Sequence, residues 1–401
     1  MNANETIALH QQYVMPTYAP GLTLIRGRGT RVWDANGNEF LDFVGGIAVV
    51  NVGHCHPELV AAISDQAARL MHVSNLFYNE LQPRLARELS DRSLGGKCFF
   101  CNSGAEANEG LIKLARKWGH DRGRYKIVTL RNSFHGRTLA TLTATGQDKV
   151  RQGFDPLPEG FVHAEFDDLE SVHAAVDDQT IAVLVEAVQG EGGVRPASSA
   201  FLHGVRELCT ERDLLMLCDE VQCGMGRTGT WFGFQQVDVT PDAFSTAKGM
   251  GGGFPIGGIA ASPEVSDVLQ VGSHATTFGG TPLACAAALA VIGIIDREDL
   301  LANARTMGQR IRDGLQPLVE RYDWVEGVRG VGLLNGLVLN RAAQELQQIA
   351  QGMGLLVLAT ANTVIRLVPP LTVTEAEVDD AVARVSEACE AWDAAPGGPE
   401  S

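Results

Sequence analysis

Apolar and polar positions along the chain fall into three successive regimes. After a polar amino-terminal arm, residues 31–43 (RVWDANGNEFLDF) alternate apolar and polar side chains around Asn36-Gly37, a dipeptide that favours a tight hairpin turn. A small β element is therefore predicted at the start. From about residue 56 the period lengthens, and amphipathic helical segments alternate with short apolar runs at 98–101, 126–130, 181–185, 214–218 and 243–245. Strands alternating with helices predict a mostly parallel sheet covered on both faces. Beyond Asp296 the pattern changes to a long charged helix reaching about Arg321, a hairpin-like stretch over 324–339, short strands near Leu355 and Val364, and a last helix from Thr374. The expected organisation is an arm and small β element over 1–50 that belong with the smaller domain, a large domain over 51–290, a carboxy-terminal α+β domain over 291–393, and a disordered tail over 394–401.

Composition narrows the function. With 45% apolar and 20% charged residues over 401 positions, the chain has globular proportions, which exclude a collagen-like rod or a disulfide miniprotein. A net charge of −16 opposes nucleic-acid binding, which needs a cationic footprint, so small molecules are the expected partners. The longest apolar stretch, 283–295, falls short of the ~20 residues that span a bilayer. The first residues lack the basic and apolar regions of a secretory signal. A cytoplasmic setting without membrane contact is expected, with the eight scattered cysteines as free thiols and the Asn4-Glu5-Thr6 sequon idle.

Only six of the 32 basic residues are lysines, and Lys248 is the last of them, set in the apolar, glycine-dense segment 245–253 (STAKGMGGG). A solvated ammonium is not normally placed there. Upstream, the apolar run 98–101 enters NSGAEANE (102–109) and then a helical pattern. A strand that delivers a small-residue turn into a helix N-terminus presents free N–H groups and a positive dipole end, which suits phosphate. Ser103, Gly104 and Ala105 are the candidate cradle, although the same turn alone reads as an ordinary N-cap. The runs 181–185 and 214–218 end in acids, Glu186 and Asp219-Glu220. Ligands of open α/β sheets bind outside the strands' carboxyl ends, so Asp219 either meets a buried cation there or caps the next turn. Pyridoxal phosphate accounts for all three features, since it needs a lysine, a carboxylate to keep its pyridine nitrogen protonated, and an anion cradle.

Six ordered segments, NSGAEANEGLIKLARK, SFHGRT, VQGEGG, DEVQCGMGRTG, TAKGMGGGFPIGG and HATTFGGTPLA, resemble the class III (subgroup II) pyridoxal-phosphate aminotransferases, and within them the acetylornithine aminotransferases. The resemblance runs from Tyr13-Val14-Met15 to the last helix. It implies the fold type I of pyridoxal-phosphate transferases, an α/β large domain with a mostly parallel seven-stranded sheet and a smaller α+β domain. It also implies that Lys248 bonds the cofactor and shuttles a proton, that Asp219 partners the pyridinium, and that Gln222 meets the ring 3-oxygen. Val221 and Phe134 take the ring faces, and Ser103, Gly104 and Ala105 take the phosphate. Thr277 corresponds to a phosphate ligand donated by the neighbouring subunit, hence a homodimer with shared sites.

On the substrate side the resemblance assigns Arg137 to the donor's α-carboxylate and glutamate's distal one, and Arg366 to glutamate's α-carboxylate. Glu191 is the gate that pairs with Arg366 while a terminal amine is processed. Bidentate arginines suit carboxylates; the lesser alternative for Arg366 is a strand arginine paired with a structural acid. Thr276 stands where the family commonly has serine against the substrate, and Ala187 where it commonly has proline; the extra methyl of Thr276 trims the pocket beside the acyl group. The implied reaction is ping-pong transfer of the δ-amine of N2-acetyl-L-ornithine to 2-oxoglutarate, with N-succinyl-diaminopimelate as a second substrate. Succinylornithine, ornithine and 4-aminobutyrate transaminases are the alternatives within the family. A non-catalytic ligand-binding protein is opposed by the complete Lys248, Asp219 and Gln222 set.

Three further patterns imitate other sites. Gly224-Met225-Gly226-Arg227-Thr228-Gly229 is a literal G-x-G-x-x-G, but the following 230–234 (TWFGF) is no helix, which a dinucleotide site requires. Cys98-Phe99-Phe100-Cys101 lacks the second pair that zinc needs and reads as buried, inert thiols. His54-Cys55-His56-Pro57 reads as a turn into a helix starting at Pro57, with His56 near its N-terminus. No metal site is expected.

Overall fold

Strands Thr180–Val185 and Leu215–Asp219 are buried at every position, which explains why they read as continuous apolar runs instead of alternating ones. In the computed structural model, which describes residues 2–395, they lie at the centre of a seven-stranded sheet. Its order is Cys98–Cys101, Gly257–Ala261, Ala243–Thr246, Leu215–Asp219, Thr180–Val185, Lys126–Leu130, Phe161–Ala164. Gly257–Ala261 alone runs against its neighbours; the other strands are mutually parallel.

Two of these strands, Phe161–Ala164 and Gly257–Ala261, escape the hydrophobic pattern. The second is built from Gly-Gly-Ile-Ala-Ala, in which every residue but Ile259 has little β preference of its own. Close approach demands the glycines: a Cβ at Gly257 would lie 2.5 Å from the carbonyl oxygen of Ser103, and one at Gly258 would lie 2.8 Å from that of Phe99.

A second sheet joins Leu24–Arg28, Arg31–Asp34 and Glu39–Asp42 to Leu355–Leu356, so the hairpin near the amino terminus takes a parallel fourth strand from the far end of the chain. Its turn is held by Asp34, whose Oδ1 accepts from the amides of Asn36 and Asn38 at 2.9 Å, while Gly37 supplies φ +88°. A third, antiparallel sheet runs in the order Val325–Val331, Leu334–Leu339, Val364–Leu367, Leu358–Thr360.

The helices add two differences from the sequence reading, in the arm and at Gln344–Gly352. The amino-terminal arm holds a helix, Ala3–Tyr13, started by a reciprocal capping box between Asn2 and Glu5. The expected long charged helix is Leu300–Arg321, into which Asp299 at φ +49° turns the chain after the apolar core helix Pro282–Arg297. A helix at Gln344–Gly352 was not predicted. The last helix, Glu375–Asp393, does start after Thr374, whose Oγ accepts from the Glu377 amide. Of the expected tail, 396–401 lie outside the described residues. No described helix is long and apolar enough to cross a membrane.

Candidate active site

Parallel strands leave their carboxyl ends facing one crevice, and the acids at two neighbouring ends meet there. Val185 lies opposite Cys218, so Glu186 and Asp219 leave adjacent strands side by side. They border a cavity of about 240 Å³ that Lys248, Gln222, Phe134 and Arg137 also line.

Asp219 is the most completely held group. Its Oδ2 lies 2.7 Å from Nδ1 of His135 and accepts from Nδ2 of Asn108 at 2.7 Å. Its Oδ1 accepts from the amide of Val221 at 3.0 Å and from the Ser245 hydroxyl at 3.4 Å. At the neighbouring strand end, burial first, and then the charge of Asp219, push the Glu186 carboxyl well above the usual carboxylate range.

Strand Cys98–Cys101 enters helix Gly104–Gly119 through Ser103, the N-cap, whose Oγ accepts from the Glu106 amide at 3.2 Å. A Cβ at Gly104 would sit 2.7 Å from Cγ1 of Val221, so glycine keeps this helix N-terminus open to the cavity. Gly136 serves the opposite wall: its φ is +140°, and a Cβ there would lie 2.6 Å from Oγ1 of Thr141.

Lys248 sits in a short turn after strand Ala243–Thr246 with φ +41°, a left-handed conformation costing a non-glycine residue about 1–2 kcal/mol. Burial lowers its pKa below the ordinary lysine value of 10.5, partly offset by the nearby charge of Glu191. The turn is backed by Asn51, which leaves no room for a side chain at Gly249, where a Cβ would lie 2.2 Å from Nδ2. Asn51 is fixed in turn by Arg227, whose Nη2 donates to its Oδ1 at 2.8 Å. Arg227 is fully buried, its pKa pulled to about 9 by burial, and it also donates to the carbonyls of Leu333 and Pro369. The dinucleotide-like loop 224–229 is therefore a brace behind Lys248.

The opposite side of the cavity is an ion pair. Arg366 is fully buried on strand Val364–Leu367, and its Nη1 donates to Oε1 of Glu191 at 2.7 Å and to Oε1 of Gln222 at 3.2 Å. Gln222 in turn donates to Glu191 at 3.2 Å. Burial raises the Glu191 pKa, but the charges of Arg366 and Lys248 and these hydrogen bonds outweigh it, so the carboxyl lies below its usual range. Nε and Nη2 of Arg366 are buried without a partner among the described residues. Arg137 is exposed, with its guanidinium 5.4 Å from the Phe134 ring centre.

Lys248, Asp219, Val221, Gln222, Gly104, Ala105, Phe134, Arg137 and Glu191 thus converge on one cavity, with Arg366 bonded to its rim. Ser103 stands behind the turn as its cap. Thr276 and Thr277 do not line their own chain's cavity; Thr277 is exposed, and Thr276 Oγ1 accepts from Asn102 at 3.4 Å and from the Gly279 amide at 3.2 Å. Ala187 is buried behind the cavity against Gly233. Cys98 and Cys101 are free thiols pushed up to about 12 by burial, and His56 caps helix Pro57–Arg69. The residues missed by sequence reasoning are His135 and Asn108. His135 lies inside the SFHGRT segment and Asn108 one helical turn beyond Gly104, so their positions were visible but their common partner was not.

The sequence model of the family aminotransferase class-III matches residues 14–389. The chain belongs to the class III aminotransferases. Two curated relatives, each named acetylornithine aminotransferase, are 49% identical: that of Caldanaerobacter subterraneus subsp. tengcongensis, with 94% of this chain and 97% of the relative covered, and that of Gloeobacter violaceus, with 93% and 94% covered. Among solved structures, N-acetylornithine aminotransferase from Stenotrophomonas maltophilia is 40% identical, with a TM-score of 0.84 over 97% of this chain and 99% of that one. The ornithine aminotransferase of Toxoplasma gondii, described with partial occupancy of PLP at its active site, is 33% identical, with a TM-score of 0.93 over 96% of this chain and 94% of that one. The chain is accordingly an aminotransferase of this class, acting on an amine donor and a keto acid, and its family implies pyridoxal phosphate.

Proposed function

We propose that this aminotransferase binds pyridoxal 5′-phosphate and transfers the δ-amino group of N2-acetyl-L-ornithine to 2-oxoglutarate, giving N-acetylglutamate 5-semialdehyde and glutamate, a step of arginine biosynthesis. The observation that carries it is the buried Glu191–Arg366 pair beside the cavity of Lys248. An arginine neutralised by a carboxylate suits a terminal amine with no charge nearby. The same arginine, released, suits an α-carboxylate. The name shared by two relatives 49% identical supports acetylornithine as the donor.

Features of the chain fit the cofactor. Glycine at 104 keeps a helix N-terminus open, as a phosphate needs, and a Cβ at Gly190 would lie 1.9 Å from Oε1 of Gln222, so that amide has a dedicated space. When bound, the cofactor supplies a carbonyl for amines and a protonated ring that withdraws electrons. Asp219 would keep the ring nitrogen protonated, oriented by His135 and Asn108. Lys248 would hold the cofactor and then carry a proton on Nζ, a task its lowered pKa favours. Phe134 and Val221 would flank the ring, Gln222 would meet its oxygen, and Ser103, Gly104 and Ala105 would take the phosphate. Arg137 would bind the donor's carboxylate.

The reading includes a homodimer in which Thr277 of one subunit completes the other's phosphate site. Exposed Leu76, Phe77, Tyr78 and Phe278 support it, because they form an apolar surface joined by the His72–Phe278 ring contact and by Asn75 donating to the Gly279 carbonyl at 2.9 Å. Thr276 would then face the partner's acyl site. A division into residues 1–50 with 291–393 against 51–290 is supported by the strand that Leu355–Leu356 adds beside Glu39–Asp42 in the second sheet. Eight free cysteines are in keeping with a cytoplasmic setting.

The test is a half-reaction titration that follows loss of the bound cofactor's visible absorbance with N2-acetylornithine, N2-succinylornithine, ornithine and 4-aminobutyrate. Efficient loss with the acetylated donor is expected. Loss with ornithine alone would move the chain to the activity named for the Toxoplasma neighbour.

A further inference from the structure

Glu191 rides on the tip of a hairpin, Val188–Gln189 paired with Arg195–Pro196, wedged between the large sheet and the carboxy-terminal one. The tip has no slack. A Cβ at Gly192 would lie 2.7 Å from the Asn132 carbonyl oxygen, and one at Gly193 would lie 3.1 Å from Nη2 of Arg329. Val194, fully buried at φ +54°, packs on Gly336, where a Cβ would lie 3.1 Å from its own.

The carboxy-terminal sheet grips this tip at three points. Arg329, Gly336 and Arg366 form one cross-strand row, Arg329 opposite Gly336 and Gly336 opposite Arg366. Directly opposed residues project to the same face, so the bare glycine lets the hairpin drop between two arginines. Arg366 takes the Glu191 carboxylate, while Arg329 donates from Nε at 3.0 Å and Nη2 at 2.7 Å to the carbonyl of Gly193. Thr360, on the strand beside that of Arg366, donates its hydroxyl to the carbonyl of Glu191 itself at 3.0 Å.

We propose that Arg329 and Thr360 are positioning residues for substrate selection: they clasp the backbone of the Glu191 loop so that its carboxylate can leave Arg366 only by rotating its side chain, and so returns to it for each amine donor. The inference rests on the gate reading above. Neither residue lines the cavity. The closed pairing needs Glu191 held in register with Arg366, whereas the open state needs only its departure. Loosening the clasp therefore harms the amine-donor half-reaction and spares that of glutamate.

The experiment measures the two half-reactions separately on the cofactor-loaded enzyme, with the best donor of the panel above and with glutamate, in Thr360→Val, Thr360→Ser, Arg329→Met and Glu191→Ala. The donor-to-glutamate ratio of kcat/KM is expected to fall about 5-fold in Thr360→Val and about 10-fold in Arg329→Met, the size of one or two lost hydrogen bonds, mainly through the donor KM. Thr360→Ser, which keeps the hydroxyl, should restore it. Amide hydrogen exchange over 191–194 should quicken in Thr360→Val. A ratio unmoved in Glu191→Ala overturns the gate and this proposal with it. A ratio moved there but not in Thr360→Val, equal loss in both half-reactions, or unchanged exchange overturns the clasp alone.

Discussion

The two sides of the cavity are built on different terms. On the Asp219 side, the hydrogen-bonding demands of the carboxylate are met by one sheet, its covering helix and the loops at its strand ends, through Ser245, Asn108, His135 and Val221. On the Arg366 side, the pair spans two sheets, and Nε and Nη2 of the arginine itself are buried without partners among the described residues, whereas the unpartnered atoms beside Asp219, Oδ1 of Asn108 and Nε2 of His135, belong to its supports. A buried donor left unmet costs roughly 1–3 kcal/mol, a standing demand for an acceptor. The difference separates a chemistry that must not vary from a recognition that must alternate between two substrates.

The comparison breaks first at Lys248. Lys248→Ala should lower turnover by roughly 10⁴-fold or more and remove the visible absorbance; steady-state assays that find retained turnover would remove Lys248 from its role. Asp219→Asn should still bind cofactor but lower kcat by about 10²–10³-fold, since it removes a preorganised charge. An unchanged kcat would make that saturated carboxylate structural. On the exchangeable side, Arg137→Ala should raise the KM of both substrates by about 10–100-fold with a smaller change in kcat, the size of a lost charge-assisted hydrogen bond. A rise confined to one substrate would show that the two do not share this arginine.

The smallest effect concerns pH. Only the neutral amine of Lys248 attacks a carbonyl, and burial lowers its pKa from 10.5. The rate at which apoprotein takes up pyridoxal phosphate should therefore rise with pH and level off below 10.5. Glu191 raises that pKa through its negative charge, so Glu191→Gln should shift the plateau to lower pH. Stopped-flow curves still climbing at 10.5 would contradict the burial of Lys248.

Legibility followed the same division. The strand ends that carry Glu186 and Asp219 could be read because fully buried strands are unbroken apolar runs that stop at an acid. Lys248 was visible as a basic residue in a glycine-dense apolar segment. Strand Gly257–Ala261 was not, because its glycines answer to carbonyls of Ser103 and Phe99 more than 150 residues away, not to local preference. His135 and Asn108 reach Asp219 across 84 and 111 positions, and no local pattern encodes such contacts. Arg329 and Thr360 were silent for the same reason: they bond to backbone carbonyls, which every residue carries.

The most direct test of the account is isotope transfer. N2-acetylornithine labelled with ¹⁵N at the δ position is incubated with the enzyme, pyridoxal phosphate and 2-oxoglutarate, and the products are read by mass spectrometry. The account predicts that the label appears in glutamate in equal amount with an unlabelled acetylated semialdehyde. Glutamate without label, or label retained on the acetylated product, would contradict it.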